Sequence, residues 1–528
     1  MQCNRTEWAV RLLLWISLGC ICATTFSQNT SVQPGSSKSG SSNSASALVS
    51  AKAEISKGEL DSAEEKLWSV LSSNPNQPEA LTLLGIIRGR QKRYPEAEAL
   101  LHRALQLDPK SVAAHRNLAN VLSAQHKSDA AIEEYAALVK LSPHDNQARI
   151  DLARLYLAQS RFADALSTLE TIPPGQFPAD AIPAKAASLL GVGKTKEAAA
   201  LIPRAQQSPA GAAQMAEVFL DGNAPQYALQ ILDGNLQKSP RQPALIYTLK
   251  GRAQRDAGDR AGALKSLREE LIRDPQSVDS LLLMAEIHAS EGQDAESLDL
   301  LKRANALQAN SATILRPLVI EAMKVGELNT ASRAAHLLAD TASENVDDQY
   351  LAAAAMLEGK DFPMASSIFA KYVIVRPEDS KGFLGLGIAE LAQQHDAEAR
   401  KALERALQIE PKLADAEYQL AIVADHESAA AEEFHHLERT IQLQPDHAKA
   451  LARLGRQYLQ AGDVEKADAM LERSVAADPN NPQSQYDLAL VLAKMGKTEE
   501  AKQHMERSAA LKADEDAGKK PIAAASHP

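Results

Sequence analysis

Aromatic side chains are scarce, at 4% of a 528-residue chain that is 45% hydrophobic. One large core would draw on more rings than this, whereas many small helix–helix contacts would not. Cysteine is scarcer still. Cys3, Cys20 and Cys22 are the only ones, all within the first 22 residues. A chain cut after that stretch would hold no disulfide framework and no thiol nucleophile, which suits an oxidising compartment. A basic surplus is missing too: 57 Lys and Arg face 68 Asp and Glu, for a formal charge of −11, and neither half is a basic block. That argues against nucleic acid as a partner.

Signatures of chemistry are also lacking. There is no strand pattern, no dinucleotide or phosphate-loop fingerprint, no H-E-x-x-H and no G-x-S-x-G. Gly191-Val192-Gly193-Lys194-Thr195 ends like a phosphate loop but lacks its upstream glycine, and reads as a helix-ending turn. Glu432 with His435, and Glu433 with His436, have the i, i+3 spacing of carboxylate-bridged metal sites. They form one local cluster, and the neighbouring histidines point about 100° apart, so the segment reads as a solvated helix face. The expectation is no enzyme, no cofactor and no metal.

Arg5 and Arg11 precede an apolar run, Leu12 to Ala23, followed by Thr25 and Ser27. The run has the length of a secretory signal and is short for a membrane span. Residues 1–27 are therefore expected to be a signal peptide cleaved after Ser27. An uncleaved anchor is one alternative, and Ser17-Leu18-Gly19-Cys20 allows another, a lipidated Cys20, although Ser17 stands where a lipobox has leucine. Residues 28–43, QNTSVQPGSSKSGSSN, read as a Ser/Gly-rich disordered linker. Residues 516–528 read as a disordered tail.

Between these ends, proline recurs with a fixed period. Pro75, Pro109 and Pro143 stand 34 residues apart, as do Pro377, Pro411, Pro445 and Pro479, and three such periods separate Pro275 from Pro377. That period marks a stacked array of helical hairpins. With these prolines at position 32, fourteen repeats run from Ser44 to about Glu515. Position 8 is small (Gly85, Ala119, Gly387, Gly455), as is position 20 (Ala63, Ala97, Ala165, Ala399), while position 24 is large and apolar (Leu67, Leu101, Phe369, Leu403). Close helix crossings need the small residues, and the large one fills the space beside them. Position 15 is glycine six times, from Gly58 to Gly496, ending the first helix. The register slips at residues 180–243, where repeats five and six are irregular. They are expected either to form a joint between arrays at 44–179 and 244–515 or to stack with small distortions. Pro317 and Val319 in repeat nine, Ser297 in repeat eight and Glu433 in repeat twelve also depart from the pattern.

Segments such as LLGIIRGRQKRYPEAEALLHRALQLDP (83–109) and RLGRQYLQAGDVEKADAMLERSVAADP (453–479) resemble the tetratricopeptide repeat family. The resemblance covers nearly the whole chain after its first 43 residues. It implies an all-α, right-handed superhelical solenoid of about fourteen helix-turn-helix repeats, acting as a protein-interaction scaffold. It also implies that positions 2, 5, 6, 9, 12 and 13 of each first helix line a concave groove. The groove residues are then Arg116, Asn117, Asn120, Asp151 and Arg154, Arg252 and Arg255, and Lys449, Arg453, Arg456, Tyr486 and Asp487. The arginines would suit partner carboxylates. Asn117 and Asn120 match a carboxylate-clamp set only in part. The stretch AHRNLANVL (114–122) is similar to the repeats of O-linked N-acetylglucosamine transferase, but position 6 carries no asparagine ladder. The expected partners are proteins or peptide segments, acidic ones included, with membrane contact only through an N-terminal anchor or a lipid on Cys20. The expected location is exported, in the periplasm or secreted.

Overall fold

The computed structural model describes residues 41–238, 245–342 and 344–516, and among these there are helices and turns but no strand. The expected signal peptide, nearly all of the linker and the tail beyond 516 lie outside the described residues. The first helix, Ser41–Lys57, begins inside the stretch read as linker.

Helix boundaries follow the 34-residue register. Repeat two is Pro78–Arg90 and Tyr94–Leu107, and repeat three is Val112–Ala124 and Ser128–Leu141. Repeats nine to twelve open with the helices Ala312–Val325, Val346–Glu358, Ser380–Ala392 and Ala414–His426. Repeats thirteen and fourteen open with Ala448–Gln460 and Pro482–Lys494. The last residue of a repeat often caps the next: Ser111, Asp145, Asn345, Asp379 and Asn481 each accept a backbone N–H from the following first turn. Such a cap is worth about 1 kcal/mol, and here it ties consecutive hairpins together.

The small and large positions meet as expected. A Cβ on Gly85, Gly251, Gly387 or Gly455 would lie 2.5–2.6 Å from the Cγ of Leu101, Leu267, Leu403 or Leu471. Ala97, Ala165 and Ala399 are fully buried. Gly385 departs from the usual position 6 because Phe369 of the preceding repeat fills its space, with the ring 2.5 Å from where a Cβ would sit.

Each hairpin turn contains one left-handed residue. Gly58, Gly258, Gly292, Gly326, Gly462 and Gly496 hold it with φ from 73° to 87°. Lys92, His126, Ser160, Lys360, Gln394 and Ser428 occupy the same position with φ from 57° to 64°. One residue later the backbone N–H reaches back five residues, as in Arg93 to Arg88 at 2.9 Å and Asp463 to Tyr458 at 2.9 Å. This is a Schellman closure, and it forces the conformation even where a side chain opposes it.

The irregularity begins ahead of residue 180. The second helix of repeat four is cut to Phe162–Glu170, ahead of Pro173, Pro174 and Pro178. The second helix of repeat five is broken into Thr195–Ala199 and Ile202–Ala205, with Pro203 in the later piece. Repeat six is regular, with helices Pro209–Asp221 and Pro225–Lys238. One buried apolar cluster runs through the stretch, from Ile150 to Ala253, including Phe177, Met215 and Phe219. Pro317 does not end its helix. It is the sixth of fourteen residues, close enough to the N-terminus to cost few intrahelical bonds.

The chain divides into two compact units, one up to Ser280 and one from Leu281. Within each unit, first helices of neighbouring repeats touch one another, as in repeats two and three and repeats ten and eleven. Among the described residues, no pair of neighbouring second helices comes as close. Each unit therefore curves with its first helices on the inner side.

Candidate binding face

The inner side of the N-terminal unit is largely polar, with Ile86 an apolar exception at position 9. Arg116 makes an ion pair with Asp145 at the end of its own repeat. The Asn117 amide donates to the Ala113 carbonyl at 2.7 Å. The Asn120 side-chain oxygen accepts from the Tyr135 hydroxyl, which turns its amide N–H groups outward. Arg154 lies 3.4 Å from Asp151 and 3.5 Å from Asp180. Burial raises the Asp151 carboxyl above its ordinary range, against the pull of Arg154. Arg252 bonds Asp221 at 2.8 Å and Arg255 bonds Asp256 at 2.7 Å. Glu217 shares this side. Burial, reinforced by Asp221, pushes it up to about 7.

The inner side of the C-terminal unit is different. Position 9 reads Glu286, then Ile320, Ala354, Ile388 and Ile422, all at least partly open to solvent. Arg453 is half-buried between Asp425 at 3.1 Å and Glu433 at 2.9 Å. Burial opposes its charge, but the two carboxylates outweigh that and hold its pKa above the ordinary value. Arg456 reaches Asp487 only at 3.7 Å. Asp487 is 4% exposed and its Oδ2 has no hydrogen bond; burial raises its carboxyl. Lys449 and Tyr486 are exposed.

The expected groove residues thus all lie on first helices, but in two separate sets. Most of the arginines already hold carboxylates of their own or a neighbouring repeat. Sequence reading missed those acids, Asp145, Asp180, Asp221, Asp425 and Glu433, because each is distant in the chain from its arginine. It also missed the isoleucine row, although the 34-residue register aligns it.

The tested metal pattern is occupied otherwise. His436 bonds Glu417 at 2.7 Å and Glu433 serves Arg453. Among the described residues, no group of three or more His, Cys, Asp or Glu could hold a metal ion. Gly193 takes the left-handed turn that closes its hairpin, with φ 81°. A cleft of about 610 Å³ between the second helices of repeats eleven and twelve is lined by Arg400, Glu417, Glu432 and His436. Arg400 and His436 there are already paired with Glu432 and Glu417.

These features define an all-α protein of stacked helical hairpins whose first helices present the open face. Residues 90–141, 122–187 and 423–486 match one tetratricopeptide repeat profile, 48–112 and 248–312 a second, and 470–503 a third. The chain belongs to the tetratricopeptide repeat family. No curated protein matches it in sequence. Among solved structures it is similar to the Cut9–Hcn1 hetero-tetramer of the APC/C, at 13% identity over 84% of this chain and 95% of that one, with TM-score 0.35. It is also similar to a tetratricopeptide repeat protein from Parabacteroides merdae, at 18% identity over 53% and 99%, with TM-score 0.35. Yeast Tom70 matches at 17% identity over 83% and 96%, with TM-score 0.29.

Proposed function

We propose that this protein is an exported, non-enzymatic scaffold that binds segments of other proteins along the inner faces of its first helices. The observation that carries the reading is the side-by-side presentation of first helices, with polar and aliphatic side chains left open on them. Recognition of this kind uses a groove that receives an extended or helical segment. Export rests on the N-terminal sequence, with Arg5 and Arg11 ahead of the apolar run and Ser27 after it. A photo-crosslinking residue at Asn120 or Ile388 should yield partner adducts in the cell, and one at Arg405, on a second helix, should not. Equal adducts at all three, or none, overturn the scaffold reading.

A lipoprotein form of the same scaffold, serving envelope assembly, secretion or exopolysaccharide export, is favoured by one observation, the Ser17-Leu18-Gly19-Cys20 sequence. Mass spectrometry of the mature N-terminus separates the two. An unmodified start at Gln28 supports the free form, and a diacylglycerol on Cys20 supports the lipoprotein.

A further inference from the structure

Position 9 of the first helix on the inner face of the C-terminal unit reads Glu286, then Ile320, Ala354, Ile388 and Ile422, then Arg456 and Leu490. Ile320 is 37% exposed, and the next three are half-buried with their outer surfaces open. Four apolar residues in register, one per repeat, stand on first helices that touch in order, each with part of its surface open. The cations beside its early end are already satisfied, Arg316 by Asp348 at 2.8 Å and Lys324 by Glu321 at 2.8 Å. Along the edge, exposed Lys381 stands between exposed Asp347 and Asp415 at the same register position, so that stretch has no cation in excess.

The far end does not balance. The helix Ala448–Gln460 carries Lys449, Arg453 and Arg456 and no acid. Arg453 is taken by Asp425 and Glu433. Arg456 has only the 3.7 Å approach to Asp487, without a hydrogen bond. Lys449 and Lys494 are exposed and neither has an ion pair among the described residues, although Lys449 stands near enough to Asp415 to help His447 lower its carboxyl. Guanidinium and ammonium groups left this way on an apolar face suit carboxylates.

We infer that this face takes an aliphatic segment of another protein that ends in acidic residues, its apolar side chains on the isoleucine strip and its carboxylates on Arg456, Lys449 and Lys494. The inference rests on the scaffold reading above and adds the chemistry and polarity of the partner. Neighbouring helix axes lie roughly 8–10 Å apart, so the four steps from Ile320 to Arg456 span roughly 32–40 Å. An extended segment covers that with about 10–12 residues, and a helix with somewhat over 20.

The test is display selection of random 24-residue peptides on the full chain, followed by affinity measurement on variants whose helicity is checked by circular dichroism. The enriched peptides should carry aliphatic residues followed or preceded by Asp and Glu at one end. Lys449→Gln with Arg456→Gln should weaken them at least tenfold. Ile388→Ser with Ile422→Ser should weaken them further, and Arg154→Gln should leave them unchanged. Peptides without an acidic end, or unaffected by Lys449→Gln with Arg456→Gln, overturn the inference and leave the scaffold reading standing. Failure to enrich any peptide that depends on an inner-face residue overturns both. Self-association of the chain that Ile388→Ser abolishes assigns the face to a second copy and also overturns it.

Discussion

The two compact units share one framework and differ in what it displays. Position 9 in the N-terminal unit includes Asn120, Arg154, Glu217 and Arg252 beside Ile86, whereas in the C-terminal unit it is isoleucine or alanine from Ile320 to Ile422, between Glu286 and Arg456. Positions 8, 20 and 24 do not follow this change; Ala97 and Ala399 are equally buried. Packing between helices is thus set by one group of positions and surface chemistry by another. The inner face can change character without disturbing the stack. In the N-terminal unit the charges are largely cross-linked to each other, which fixes side-chain geometry more than it adds stability.

The comparison can be broken at the framework first. Ala97→Leu and Ala399→Leu should each cost roughly 1–3 kcal/mol by overpacking, measured by denaturant unfolding. A loss in one unit alone would mean the framework is not shared. Next comes the ion-pair contrast. Arg453→Met leaves Glu433, 8% exposed, without its cation and should cost roughly 2 kcal/mol. Arg154→Met, whose partners lie at 3.4 and 3.5 Å and are less buried, should cost under about 1 kcal/mol. Equal losses would erase the distinction. For the same reason, a charge reversal at Arg453 tests stability as much as binding.

A smaller gain is expected at the turns. Lys92→Gly and Gln394→Gly relieve a left-handed residue and should stabilise by roughly 0.5–1 kcal/mol. The last effect is a slope with pH. Burial raises Glu217 and Glu270 to about 7, with Asp221 adding to it at Glu217 and Asp274 at Glu270. The folded state holds these protons more tightly than the unfolded chain does. Their stabilisation is therefore complete below the ordinary value of 4.5 and is lost as pH rises through about 7. Tm of the N-terminal unit should fall between pH 4.5 and 7.5, and Glu217→Gln with Glu270→Gln should flatten that fall. An unchanged slope would mean that these two carboxyls do not carry the pH dependence.

The framework was legible because it is periodic. Proline, glycine and alanine mark positions whose sterics allow few substitutes, so helix starts could be read within a residue or two. The turns were legible only in part. Lys92, His126 and Gln394 carry no sign that their backbone is left-handed, since the Schellman bond one residue on imposes it. The slip in register was legible from the prolines at 173–183, but not that both helices of repeat six keep ordinary lengths. The groove register placed the inner residues on first helices. It could not show which arginines were engaged, because Asp145 and Asp425 lie 29 and 28 residues from Arg116 and Arg453.

The backward bond that closes each hairpin recurs in all fourteen repeats, from Glu59 to Glu54 through Lys194 to Leu189 to Lys497 to Leu492, at 2.8–3.0 Å. Each such amide is held by a bond that exists only while the end of its first helix and the turn after it are formed. In deuterium exchange it becomes a reporter of one hairpin's opening, and the fourteen together form an evenly spaced scale along the chain. Local opening, fraying from an end or clamping by a partner would each write a different pattern on it.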